Sequence, residues 1–131
     1  MTRKPLQNLF KAALTMAFLA PATAQAIAYE CSYTRYCAED RACSPSTLTI
    51  TIDRAPEGAP EAYAMTTRGR TLPVREIVDP SYESRAYISA LEFNTLHLLT
   101  VFQNGSSRYT SHTPVAGSQS QNFLGTCVVT G

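Results

Sequence analysis

Along residues 47–53, TLTITID, apolar and polar side chains alternate without a slip: Leu48, Ile50 and Ile52 fall on one face and Thr47, Thr49, Thr51 and Asp53 on the other. Successive side chains of an extended chain point to opposite faces, so the pattern predicts a half-buried β-strand. RAPEGAPEA (54–62) follows, with two prolines and a glycine, and predicts a loop. Residues 62–67 and 70–78 then read as two strands meeting at Arg68-Gly69. Pro73 has no N–H to give to a ladder, so the second of these is expected at an edge or at a bulge.

DPSYES (79–84) predicts a turn or a single helical turn, and residues 85–93 another strand. TLHLLTVF (95–102) is apolar on both faces, as suits a central strand. QNGS (103–106) offers the Asn-Gly pair favoured in two-residue type I′ hairpins, with the returning strand over 107–113. A Gly/Ser/Gln loop (117–122) leads into FLGTCVVT (123–130), the last strand. With a first strand around Cys31 this makes seven or eight short strands and no helical repeat. The expectation is an all-β domain, a single antiparallel sandwich or small barrel, stapled by disulfides.

The first 26 residues stand apart from that pattern. Arg3, Lys4 and Lys11 precede a short apolar block over residues 12–20, Pro21 breaks it, and Ala24-Gln25-Ala26 has the small-x-small form of a cleavage site. This is the grammar of a secretory signal cut before Ile27, leaving residues 27–131 as the β domain. The apolar block is far short of the roughly 20 residues a membrane-crossing helix needs. No transmembrane segment is therefore expected in the mature chain, and its place is periplasmic or secreted.

Cleavage changes the charge balance. All lysines leave with the signal, and the mature part keeps eight arginines against ten acidic residues, a formal charge of −2. Nucleic-acid binding draws most of its affinity from basic side chains on phosphates, so that class of partner is excluded.

Cys31, Cys37 and Cys43 are evenly spaced and Cys127 lies near the end. Structural zinc sites bring cysteines closer, as C-x2-4-C, and no C-x-x-C dithiol is present, so neither a metal nor a redox centre is expected and no cofactor is implied. In an exported chain four cysteines are most simply two disulfides. Three pairings are possible. If the first strand lies beside the last, closure of the sheet favours Cys31 with Cys127, and Cys37 with Cys43 then pins the loop between.

Chemistry-bearing residues are few. With Asn104-Gly105 as a two-residue turn, His97 falls opposite His112, close enough to share a metal or form a pH-sensitive pair; a three-residue loop with a bulge breaks the pairing. Two ligands do not make a metal site. No Gly-x-Ser-x-Gly elbow is present, and Asp53, Glu76, Asp79, Glu83 and Glu92 are scattered, so no enzyme is read. What remains is Tyr beside Arg in YTRY (33–36), YESRAY (82–87) and SSRY (106–109), residue types enriched at binding hot spots.

The early cysteine cluster, the LLTVFQNGSSRYTSH hairpin (98–112) and the GTC strand (125–127) resemble small exported bacterial β-domain proteins of unknown function. YEC (29–31), SSRY and Cys127 are also similar to features of the membrane-bound inhibitors of C-type lysozyme, small periplasmic β-barrels that insert a loop into the lysozyme cleft. That likeness implies that Ser107, Arg108 and Tyr109 lie near an inhibitory surface. It departs from the family in lacking its aromatic-x-Lys-Gly segment and in carrying Cys37 and Cys43. The expected role is non-catalytic binding of a ligand or of another envelope or extracellular protein. The alternatives are inhibition of a hydrolase such as lysozyme and a structural part in the envelope. The candidate binding residues are Ser107, Arg108, Tyr109, His97 and His112.

Overall fold

The computed structural model describes residues 28–131 apart from 40, 82, 93 and 115–118; the leader read in residues 1–26 lies outside them. Eight antiparallel strands follow one another: β1 (Tyr29–Ala38), β2 (Ser44–Arg54), β3 (Tyr63–Thr67), β4 (Arg70–Asp79), β5 (Ser84–Ser89), β6 (Leu96–Val101), β7 (Ser106–Thr113) and β8 (Gln119–Val129). Each pairs with the next and β8 returns to β1, so the sheet closes into an up-and-down barrel. Among the described residues no helix is long and apolar enough to cross a membrane.

Alternation decides which side chains fill the barrel. Ile50 and Ile52 of β2, Met65 of β3, Val74 of β4, Tyr87 of β5 and Leu99 of β6 have no exposed surface, and Tyr33 and Phe123 join them from β1 and β8. The aromatic rings meet across the lumen: Tyr33 lies 6.0 Å from Tyr109 and 6.4 Å from Phe123, centroid to centroid. These spacings are those of edge-to-face and tilted aromatic pairs.

Both disulfides take the pairing that closure favours. Cys31 and Cys127 face each other across β1 and β8, and Cys37 and Cys43 tie the β1–β2 hairpin. Near this seam β1 carries a bulge, its register slipping between Tyr33 and Arg35 against both neighbours. The backbone of Ser32 and Tyr33 is thereby pressed onto Gly125. A Cβ at Gly125 would sit 2.0 Å from the Ser32 carbonyl oxygen, so only glycine fits.

Three expectations need correction. Pro73 is neither in an edge strand nor at a bulge, because a closed barrel has no edge. Pro73 pairs with Ala64 on β3, while the β4–β5 ladder begins only at Val74 opposite Ser89. By the alternation of an antiparallel ladder, the donor that Pro73 lacks would point to the side where β5 has already ended. Residues 119–122 are not loop but the start of β8, paired to both β7 and β1.

The third correction is the β6–β7 turn. It is a three-residue loop: Phe102 N–H donates to the Ser106 carbonyl and Gly105 N–H to the Phe102 carbonyl, with Gly105 alone there at a left-handed φ of +80°. Asn104 serves by its side chain, whose Oδ1 accepts from the Ser106 N–H at 2.9 Å. The register therefore moves by one. His97 faces Ser111, and His112 faces Leu96.

Two variants test this seam. Gly125→Ala should destabilise the domain by on the order of 3 kcal/mol or more in a denaturant titration, since backbone must move to admit the methyl group. Removing the long bridge, Cys31→Ala with Cys127→Ala, should cost about 2 to 5 kcal/mol, and removing Cys37–Cys43 less, because a far shorter loop is closed. Equal losses from the two pairs would contradict the assignment of the long bridge to closure.

Candidate functional site

The two ends of the barrel differ. At the end where β4 finishes and β5 begins, Glu76 points inward and is satisfied twice. Arg85 Nη1 donates to it at 2.6 Å and the Tyr87 hydroxyl at 3.1 Å. Tyr63 and Tyr29 pack edge-on against Tyr87. This ring of aromatic bodies around one ion pair plugs that end.

At the other end the inward positions turn polar. β6 runs outward from Val101 and Leu99 to His97, β7 from Tyr109 to Ser111 and Thr113, and β3 from Met65 to Thr67. With Arg68, Arg70 and Leu72 from the β3–β4 hairpin, Glu92 and Thr95 from the β5–β6 connection, and Gln121 from β8, they line a cavity of about 450 Å³. Its size is that of a small-molecule site.

Two features of the mouth stand out chemically. His97 Nδ1 and the Tyr109 hydroxyl lie 2.6 Å apart, and the rings stack with 9° between their planes. Burial pushes the Tyr109 phenol above its ordinary value, against opposing pulls from Arg68 and from the Ser111 and Thr67 hydroxyls, so Tyr109 keeps its proton. Burial, and next the Arg70 charge, push His97 down, opposed by Glu92, so the imidazole is neutral near pH 7. In this pair either the phenol donates to Nδ1 with the ring hydrogen on Nε2, or Nδ1–H donates to the phenol oxygen.

The second feature is the β3–β4 turn. Thr67 pairs with Arg70, leaving a two-residue turn in which Arg68 (φ +48°) and Gly69 (φ +74°) are both left-handed, the type I′ pattern. Asn or Gly is the usual first residue of such a turn; an L-residue with a full side chain costs about 1 to 2 kcal/mol there. Arg68 nevertheless occupies it, and its guanidinium carbon lies 5.7 Å from the centre of the Phe123 ring at the rim. Thr67 beside it is buried, and its Oγ1 makes no hydrogen bond of good geometry among the described residues, although its hydroxyl is near enough to the Tyr109 phenol to act on it as a weak hydrogen-bond partner.

Of the residues singled out in the sequence, His97 and Tyr109 meet in the mouth. Ser107 faces inward below them, donating to the Thr100 carbonyl and sharing a hydrogen bond with the Tyr33 hydroxyl. Arg108 and His112 lie exposed on the outer face. Tyr near Arg in sequence does not make a Tyr/Arg surface. Arg108 and Tyr109 point to opposite sides of β7, so Tyr109 is buried and Arg108 exposed; the β1 bulge separates buried Tyr33 from exposed Arg35, and Arg85 and Tyr87 both turn inward to Glu76. Among the described residues no three His, Cys, Asp or Glu side chains gather as a metal site would need.

Thr67, Arg68, Arg70, Glu92, Ser111 and Gln121 were not singled out. The available signal was the inward series itself, such as His97, Leu99 and Val101, whose polarity changes toward one end. An arginine in a two-residue turn was a second signal. No protein-family model matches the chain, and neither a curated protein nor a solved structure matches it.

The His97 shift has a definite pH signature. Its folded value lies below the roughly 6.5 of an unfolded chain, so between the two values the unfolded state binds more protons and stability rises with pH. This contribution is full above about pH 6.5 and is lost as pH falls through the folded value. An NMR titration should give His97 a midpoint below 6.5, and His97→Asn should remove that part of the pH dependence of unfolding. A midpoint at or above 6.5 contradicts the arrangement.

Proposed function

We propose that the domain is a non-catalytic binding module of the periplasm or the extracellular medium, and that its ligand is received in the polar mouth of the barrel. The observation that carries this reading is the asymmetry of the two ends. An eight-stranded barrel encloses room for its own side chains or for one small ligand. Here the Glu76–Arg85–Tyr87 cluster fills the lumen at one end, where a hollow of about 580 Å³ is formed by residues 54–62 alone, while the lumen at the other end leaves about 450 Å³ bordered by hydrogen-bonding groups from five parts of the barrel.

A non-catalytic role is supported by how the histidine is used. His97 Nδ1 is taken up by the Tyr109 phenol, not by a carboxylate that would aim the ring at a serine nucleophile. Export is supported by the two disulfides, which persist in oxidising compartments. Inhibition of a hydrolase through Ser107, Arg108 and Tyr109 has less support. Of the three only Arg108 is exposed, so it alone is placed to meet a partner's cleft.

The test is a titration of the isotopically labelled mature domain with a library of small anionic, cationic and neutral compounds, read by amide NMR shifts. Saturable shifts should cluster at residues 67–70, 95–97 and 109–113 and spare the loop 55–62 at the plugged end, with the bound compound recovered unchanged. Turnover of C-type lysozyme should be unaffected at equimolar domain. Shifts that avoid the mouth for every compound would overturn the reading, as would stoichiometric lysozyme inhibition lost in Arg108→Ala.

A further inference from the structure

The mouth has the donors and the charge balance to name a ligand class. Resting on the reading of the mouth as a binding site, we infer that it recognises a monoanionic organic carboxylate, bound by the Arg68 guanidinium and the Thr67 hydroxyl with its body against the Tyr109 and His97 rings.

Four observations converge. Thr67 is 7% exposed and lines the cavity, yet its Oγ1 lacks a well-formed hydrogen bond among the described residues. A buried hydroxyl left in that state favours a ligand that supplies an acceptor. Arg68 occupies a left-handed backbone position that Asn or Gly would take more easily, and strain of this kind is retained where a side chain is needed. Its guanidinium rests over Phe123, which holds the fork at the rim, and no described carboxylate pairs with it. Finally, among the described residues the charged side chains of the lining are Arg68, Arg70 and Glu92, a net of one positive charge with His97 neutral.

One positive charge suits a monoanion. A planar guanidinium matches a carboxylate in a bidentate manner, whereas a phosphate monoester would bring a second negative charge toward Glu92. Leu72 and the stacked His97–Tyr109 rings give an apolar wall for the remainder of the ligand. The carboxylate can come from a small free acid or from the C-terminus of a polypeptide, since either fits a mouth of this size.

The experiment uses the oxidised mature domain and five probes: benzoate, benzamide, phenyl phosphate, and acetyl-Ala-Ala with a free or an amidated C-terminus. Benzoate should shift the Thr67 and Arg68 amides and bind at least tenfold more tightly than benzamide, and more tightly than phenyl phosphate. Stronger binding by the free dipeptide acid than by benzoate, lost on amidation, assigns the carboxylate to a chain end; the reverse order assigns it to a small free acid.

Arg68→Asn separates binding from folding. Asparagine suits the left-handed position, so the thermal midpoint should hold or rise while benzoate affinity falls at least tenfold. Thr67→Val, of nearly the same shape, should weaken benzoate about fivefold, and Arg75→Gln on the outer face should change nothing. Equal binding of benzoate and benzamide at the mouth, or Arg68→Asn binding benzoate like the parent, overturns the carboxylate inference and leaves the mouth as a binding site. Failure of every probe to move a mouth resonance overturns both.

Discussion

Everything in this domain depends on the last strand returning to the first. An open eight-strand meander would leave two rows of unpaired backbone groups and no enclosed interior. Closure removes both faults at once, and it is set by local features of the seam. Cys31 faces Cys127, the β1 bulge adjusts the curvature, and Gly125 lets the Ser32 backbone come closer than any side chain would permit. The bridge spans 96 residues of a chain too short to have stability to spare, which is where a covalent constraint on the unfolded state contributes most.

Closure also creates the site. Once the strands form a cylinder, inward positions have only two kinds of environment, the packed middle and the two ends. Tyr87, Leu99 and Ile50 fill the middle, and the ends must each solve the problem of polar groups next to an apolar lumen. One end solves it internally, with Glu76 accepting from Arg85 and Tyr87. At the other, His97 and Tyr109 satisfy each other while Thr67 and Arg68 are left facing a cavity. The difference between a self-satisfied end and an unsatisfied one is the physical content of the functional reading.

The fold was legible because period-two alternation and cysteine placement carry it. Leu48, Ile50 and Ile52 announce an inward face, and the distance between Cys31 and Cys127 in sequence points to a closing seam. Register was not legible at the β6–β7 turn. Asn104-Gly105 is compatible with two loop lengths, and the choice rests on the Asn104 side chain accepting from Ser106, which a dipeptide pattern does not reveal. That one-residue shift separates His97 from His112.

The mouth was legible only in fragments, because its residues come from separate hairpins and meet only after closure. Arg68, Glu92 and Gln121 share no motif; what unites them is that each sits where an inward-facing strand position or its connection reaches the same rim. Tyr beside Arg marks no common surface: β7 sends Arg108 outward and Tyr109 inward, whereas Arg85 and Tyr87 meet at Glu76 inside the barrel.

Closure is tested most directly by proton NMR on the oxidised domain of residues 27–131. Cys31 and Cys127 have Cα atoms 4.0 Å apart, the near spacing of a pair not joined by ladder hydrogen bonds, while the Cys127 N–H donates to the Gly105 carbonyl on the β7 side. A closed barrel predicts a strong Hα–Hα Overhauser contact between Cys31 and Cys127, with slowly exchanging amides on both flanks of β1 and of β8. Absence of that contact, together with one freely exchanging flank on each of these strands, would show an open sheet and contradict the account.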